Sequence, residues 1–229
     1  MKNRRGRALF LLLIAIGLLC AVTVAGGLLA GSAEFADFSR KNLPPCLAFP
    51  FGTDRMGRDM LARALAGLSL SIRIGAFTAV ISGAVALLLV TASALLGGPV
   101  YAAISWVIDL VMGVPHILLI ILISIACGKG TFGVVAGVAL THWPSLARLL
   151  RGEVLQLKQA PYIQMARRLG ASWGRVLWGH FLPHLLPQFL TGVILQFPHA
   201  ILHEASVTFL GFGLPPDHPA IGVILEESM

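Results

Sequence analysis

Long stretches of this chain show neither the period of a surface helix nor the alternation of a half-buried strand. They are apolar almost all round. Runs such as AVISGAVALLLVTASALLGG mix small residues with Leu and Val, and five stretches, roughly 8–30, 72–97, 103–126, 131–150 and 188–211, approach the ~20 residues that cross a hydrocarbon core of ~30 Å. Because lipid satisfies no backbone polar group, such spans have to be helices. Small residues among them let neighbouring backbones approach closely. The pattern predicts an all-α polytopic membrane protein with five transmembrane helices.

Polar positions gather between these runs. The segment ARRLGASWGRVLWGHFLPHLLP, 166–187, carries Arg167, Arg168 and Arg175 with two histidines, two prolines and Gly170. Gly170 is placed to end one helix in the left-handed conformation that glycine adopts cheaply, and Ser172 to cap the next. Pro183 and Pro187 are expected to bend the chain as it re-enters the membrane.

Composition agrees with the pattern. Of 229 residues, 57% are hydrophobic and 12% charged, against about 25% charged in a soluble domain, and the mean hydropathy is +0.86. The net charge of +7 forms no stripe with interleaved aromatics, so nucleic acid is not an expected partner. Cys20, Cys46 and Cys127 have no metal or disulfide spacing. The apolar run from Ala8 to Ala30 exceeds the ~7–15 residues of a signal-peptide core, which favours an uncleaved first span.

Basic residues give the orientation. Lys2, Arg4, Arg5 and Arg7 precede the first span and place the N-terminus in the cytoplasm by the positive-inside rule. Counting spans then puts 31–71 outside, 151–187 inside and 212–229 outside. Residues 148–175 hold six Lys or Arg against Glu153 alone, while the tail holds Asp217, Glu226 and Glu227 with no Lys or Arg. The basic hairpin thus faces the cytoplasm, where a soluble partner could dock.

At these residues the chain resembles the permease subunits of bacterial ABC importers, whose cytoplasmic loop has an Ala-rich helix, a Gly and a second helix ending in a hydrophobic-Pro pair. Ala166, Gly170 and Leu182-Pro183 fit, whereas Pro161 and Met165 depart from the usual acid and alanine. FGTDRMGRDMLARALAGLSLSIRIG (51–75), WPSLARLLRGEVLQLKQAPYI (143–163) and EASVTFLGFGLPP (204–216) are similar to the C-subunit type of dipeptide, oligopeptide and nickel permeases. The resemblance implies a single transmembrane domain over 1–229 in the bacterial inner membrane. It assigns Ala166, Arg167, Arg168, Gly170, Ala171 and Ser172 to ATPase docking. It also implies an external motif of Gly52, Thr53, Asp54, Gly57, Arg58 and Asp59. The implied partners are a second permease subunit, ATPase subunits and an external substrate-binding protein, with membrane lipid around them. Family members carry one more span after the last match, so that final span is expected to be absent before Met229.

No G-x-x-x-x-G-K-[ST] occurs, and Gly128-Lys129-Gly130-Thr131 lacks its essentials. ATP-Mg is therefore expected on partner subunits, with no cofactor on this chain, which is a pathway and not an enzyme. His203-Glu204 does not extend to the H-E-x-x-H of a zinc protease, because position 207 is Val.

Ionisable residues within spans usually face a cavity. His199 and His203 lie four apart on one helical face, with Glu204 beside them and His142 in another span. Neutral imidazole suits nickel, and nickel permeases of the type this chain resembles carry comparable histidines. The expected cargo is nickel or a nickel chelate, the identity of any bound metal being left open, with di- or oligopeptides as the alternative. An ATP-independent channel or structural subunit is the rival of a different class. His116 is read as a structural histidine bonding a neighbouring helix's carbonyl. Asp109, the one acid between 60 and 150, is expected to pair or to line a path, a structural role near the membrane centre being the favoured reading. Asp54, Arg55, Arg58 and Asp59 are expected to form mutual ion pairs.

Overall fold

Glycine and proline decide where the helices of this chain stop. The computed structural model describes the backbone of residues 2–229 and the side chains from residue 6. The side chains of Lys2, Arg4 and Arg5, on which the orientation reading leans, lie outside the described residues. Every helix or strand assigned among the described residues is helical: α1 (Lys2–Glu34), a 3-10 turn (Phe38–Arg40), α2 (Met60–Leu96), α3 (Gly98–Gly113), α4 (His116–Ala126), α5 (Gly130–Gln159), α6 (Pro161–Arg168), α7 (Trp173–Val176), a π turn (Leu177–Phe181), α8 (Leu182–Phe209) and α9 (Ile221–Glu227). Contacts divide the chain into two compact units, one of residues up to Ile74 together with Glu204–Met229, the other Gly75–His203.

Among the described residues three helices are long and apolar enough to cross a membrane, Gly6–Glu34, Met60–Leu96 and Trp173–Phe209. A fourth crossing exists if α3 and α4 count together, although they meet at a 98° bend. Pro115 causes the break: it lacks an N–H and holds Val114 in extended backbone (φ −94, ψ 138). The expected span at 131–150 lies inside α5, which at 30 residues is long enough to cross a membrane but less apolar than those helices. Its second half carries Arg148, Arg151, Glu153 and Lys158. The expected outer loop is shorter than 31–71, because α1 continues to Glu34 and α2 begins at Met60. Asp59 starts α2 there by accepting a hydrogen bond from the Leu61 N–H at 2.9 Å.

In the first unit, Ser69 donates to the Thr23 carbonyl at 2.8 Å, and Ala33, Ala62 and Ala66 pack beside it. Toward its start α1 leaves Leu9 through Leu13 exposed, a surface that suits lipid. In the second unit α4 and α5 touch backbone to backbone: a Cβ at Gly137 would fall 2.8 Å from the Ile120 carbonyl oxygen. This is the small-residue packing that lipid favours. Its core joins Val90 of α2, Ile108 of α3 and Leu150 and Val154 of α5 to Ile163, Val176, Phe181 and Leu185 of the hairpin.

The hairpin turn has the geometry its sequence predicts. Gly170 has φ +88, its N–H donates to the Arg167 carbonyl, and the Ala171 N–H donates to the Ala166 carbonyl, both at 3.0 Å. That is a Schellman motif. Ser172 Oγ accepts from the Arg175 N–H at 3.3 Å and caps α7. A Cβ at Gly170 would meet nothing within 4 Å. Gly170→Val therefore carries only the backbone cost of the left-handed conformation, about 1–2 kcal/mol, while Gly170→Asn should be milder. Limited proteolysis in membranes checks this: cleavage between 165 and 175 should speed up for Val and much less for Asn.

The chain stays helical through Pro183 and Pro187 instead of breaking there. Trp173–Phe209 reads as one helix of 37 residues. The π turn widens the helix immediately ahead of Pro183, where the Leu182 N–H reaches back to the Leu177 carbonyl. Such local adjustments let membrane helices carry proline without ending.

Candidate functional site: a histidine-lined cavity

The second unit holds a cavity of about 800 Å³, within the range of small-molecule sites. The α3–α4 break supplies one wall, and α5 and α8 supply the others through His142, Leu146, Gln196, His199 and His203. His116 enters because Pro115 restarts the chain as α4, so the imidazole projects from the first helical position. His142 stands on α5 two residues before Pro144, and His203 lies near the end of α8.

These last three rings meet. Centroid separations are 4.7 Å for His116–His142, 4.6 Å for His116–His203 and 5.1 Å for His142–His203, all edge-on. One ring nitrogen from each lies within 4.8 Å of the others. His142 Nδ1 bonds the Val138 carbonyl at 2.8 Å, and His203 Nδ1 bonds the His199 carbonyl at 2.9 Å. A carbonyl only accepts, so Nδ1 carries the proton in both rings and Nε2 keeps its lone pair. Gln196 Nε2 donates to the His142 carbonyl at 2.8 Å and ties α8 to α5.

The candidate residues are thus partly reassembled. His142 and His203 come together as expected, while His199 lines the same cavity outside the trio and bonds the Leu195 carbonyl through Nδ1. His116, read as structural, completes the cluster. The described carbonyl partners of His142, His199 and His203 belong to their own helices, four residues back, and not to a neighbouring helix. Glu204 stands outside the cluster: its buried carboxylate accepts from Ser71 Oγ at 2.7 Å and Thr208 Oγ1 at 3.1 Å. Asp109 pairs with Arg148 at 2.6 Å.

The hairpin is built for rigidity with an open outer face. The Arg167 guanidinium lies 4.5 Å from the Trp173 ring centroid and donates to the Ala171 carbonyl. Lys158 approaches the same ring at 5.5 Å. Ala166 and Ala171 are half-buried, whereas Arg168, Gly170 and Ser172 are exposed, and Met165, Leu169 and Trp178 add exposed apolar surface.

The 52–59 segment folds into a knot in the first unit. Gly52 (φ +72) and Gly57 (φ +75) make its turns. Thr53 Oγ1 accepts from the Leu43 N–H at 2.9 Å and donates to the Arg40 carbonyl. Asp54 accepts from the N–H groups of Met56 and Arg58 and from Arg58 Nε at 2.6 Å. Burial pushes the Asp54 carboxyl up, but those hydrogen bonds prevail and hold it below the usual carboxylate range. The expected local ion pairing holds only for Arg58 with Asp54; Asp59 caps α2 instead. Sequence reading missed the other members: Glu227 of α9 accepts from Arg58 at 2.9 Å and from Arg63 at 2.5 Å.

The family profile described as "Binding-protein-dependent transport system inner membrane component" matches residues 84–229. The oligopeptide transport system permease protein OppC of Bacillus subtilis is 32% identical over 84% of this chain and 65% of its own length. A putative peptide permease protein of Brucella suis is 32% identical over 100% of the chain and 75% of its own length. A putative peptide transport system permease protein from the same organism is 34% identical over 99% and 76%. The chain thus spans a little under two thirds of the Bacillus relative and about three quarters of the Brucella ones. Helices that suit a membrane, a rigid polar hairpin and this extent of likeness lead to one conclusion: the chain belongs to the family of binding-protein-dependent transport system inner membrane components.

Proposed function

We propose that this protein is a permease subunit of an ATP-driven importer of short peptides in the bacterial inner membrane. The observation that carries the cargo is its 32–34% identity to proteins named as peptide or oligopeptide permeases. The cavity beside the α3–α4 break has room for a small peptide, and its mixed apolar and polar lining suits one. In this reading ATP-Mg stays on separate ATPase subunits. Ala166 through Ser172 shape the hairpin that seats on them, with Met165, Leu169 and Trp178 supplying apolar contact. A second permease subunit and an external binding protein complete the assembly, and the 52–59 knot faces the outer side. The N-terminus and the hairpin lie in the cytoplasm, as the distribution of Lys and Arg favours.

A second cargo reading, nickel or a nickel chelate, is favoured by one feature, the imidazoles on the cavity wall. Uptake in proteoliposomes containing the whole importer, with labelled dipeptide and labelled Ni2+ in parallel, separates the two. The expected result is peptide uptake that requires ATP and the binding protein. Nickel uptake without peptide uptake would replace the first reading by the second. Flux of either cargo without ATP would favour a channel and overturn both.

A further inference from the structure

We propose that His116, His142 and His203 form a binding site for one late first-row divalent cation, of the class of Ni2+, Co2+ and Zn2+, on the wall of the cavity. The site does not depend on which cargo the importer carries, since it concerns what the chain itself binds. Three imidazoles from three helices converge with ring nitrogens within 4.8 Å of one another. Bonds of about 2.0–2.1 Å to a shared ion bring such nitrogens roughly 3–3.5 Å apart, so ring rotations of about an ångström close the site. None of the helices has to move far.

The hydrogen bonds already set the needed tautomers. With Nδ1–H donated to Val138 and His199 carbonyls, His142 and His203 keep the lone pair of Nε2 free to bind a cation. Metal-bound histidines are oriented by this kind of bond to a carbonyl, which also raises their basicity. Imidazole donors select late first-row ions over Mg2+ and Ca2+, which prefer oxygen. Gln196, on the same cavity wall, holds the His142 backbone in place by donating from Nε2 to its carbonyl at 2.8 Å. A three-ligand site open to a cavity keeps a further position for a water or an incoming ligand.

The test is a Co2+ titration of the full chain, purified without a polyhistidine tag in lipid nanodiscs. Cobalt's visible absorption reports nitrogen ligation directly. One equivalent of Co2+ should bind, raise the thermal midpoint of the wild type and be displaced by Ni2+. Alanine at His116, His142 or His203 should each weaken binding by at least about tenfold, whereas His218→Ala, at an exposed residue outside the cavity, should not. Wild-type chain that shows no Co2+ band, or the same band as a variant lacking all three histidines, overturns the site. That reading needs only the wild type if the variants fold poorly. The uptake assay keeps the two proposals apart: peptide uptake without Co2+ binding removes the metal site alone, and Co2+ binding without peptide uptake removes the peptide cargo alone.

Discussion

Replacing Glu227 with alanine should destabilise the first unit by about 3–5 kcal/mol, the cost of leaving buried charge without its partner. The Arg63 side chain is fully buried and that of Arg58 is 6% exposed, and both donate to this one carboxylate. Asp54 alone cannot replace it, because it already accepts three hydrogen bonds and stands 3.7 Å from Arg63. Glu226→Ala, at the exposed neighbour, should change stability by no more than about 0.5 kcal/mol. Heating detergent-solubilised protein and measuring the fraction left monodisperse compares the two. Acid should mimic part of the first effect. The folded Asp54 carboxyl titrates below its ordinary value, so its contribution is complete above the ordinary carboxylate pKa. That contribution is lost as pH falls through the lowered value. Equal thermal profiles for Glu227→Ala and Glu226→Ala would show that the arginines find other partners.

Glu227 also shows why part of this site was illegible. Nothing local in an acidic tail announces a partner 164 residues away, and the charges at 54–59 were read as pairing among themselves because only short spacings are visible in a sequence. The hairpin was legible for the opposite reason. A Schellman turn and an N-cap are made by residues within six positions of one another, so Gly170 and Ser172 could be placed by their backbone chemistry alone. Apolar runs gave the membrane class and most of α1, α2 and α8. They hid the break at Pro115, because the run is apolar on both sides apart from His116 and reads on as one span. At Pro183 the helix runs on, with a π turn immediately ahead of the proline. The histidines combine both lessons. The four-residue spacing of His199 and His203 was visible, yet the fold takes only His203 into the cluster and draws His116 from the far side of a break.

Phe181→Ala should cost about 3–5 kcal/mol in the second unit, as truncation of a fully enclosed phenyl usually does. At 1% exposure, Phe181 joins the core that holds Ile163 and Val176 of the hairpin against Leu150 and Val154 of α5. In the proposed importer the hairpin transmits movement from an ATPase, and for that it has to be stiff against the helices it moves. Loss of this anchor should therefore lower transport more than it lowers ATPase association. Trp178, 74% exposed on the same π turn, offers the contrast. Trp178→Ala removes outward apolar surface without opening the core, so stability should change by about 0.5 kcal/mol at most, while co-purification of the ATPase should fall. The two variants thus separate anchoring from docking within a few residues. Measured together in proteoliposomes, Phe181→Ala should hydrolyse ATP with little uptake, and Trp178→Ala should do little of either. Tight coupling of hydrolysis to uptake in Phe181→Ala would mean that the hairpin transmits force without this anchor, and the lever reading would fall.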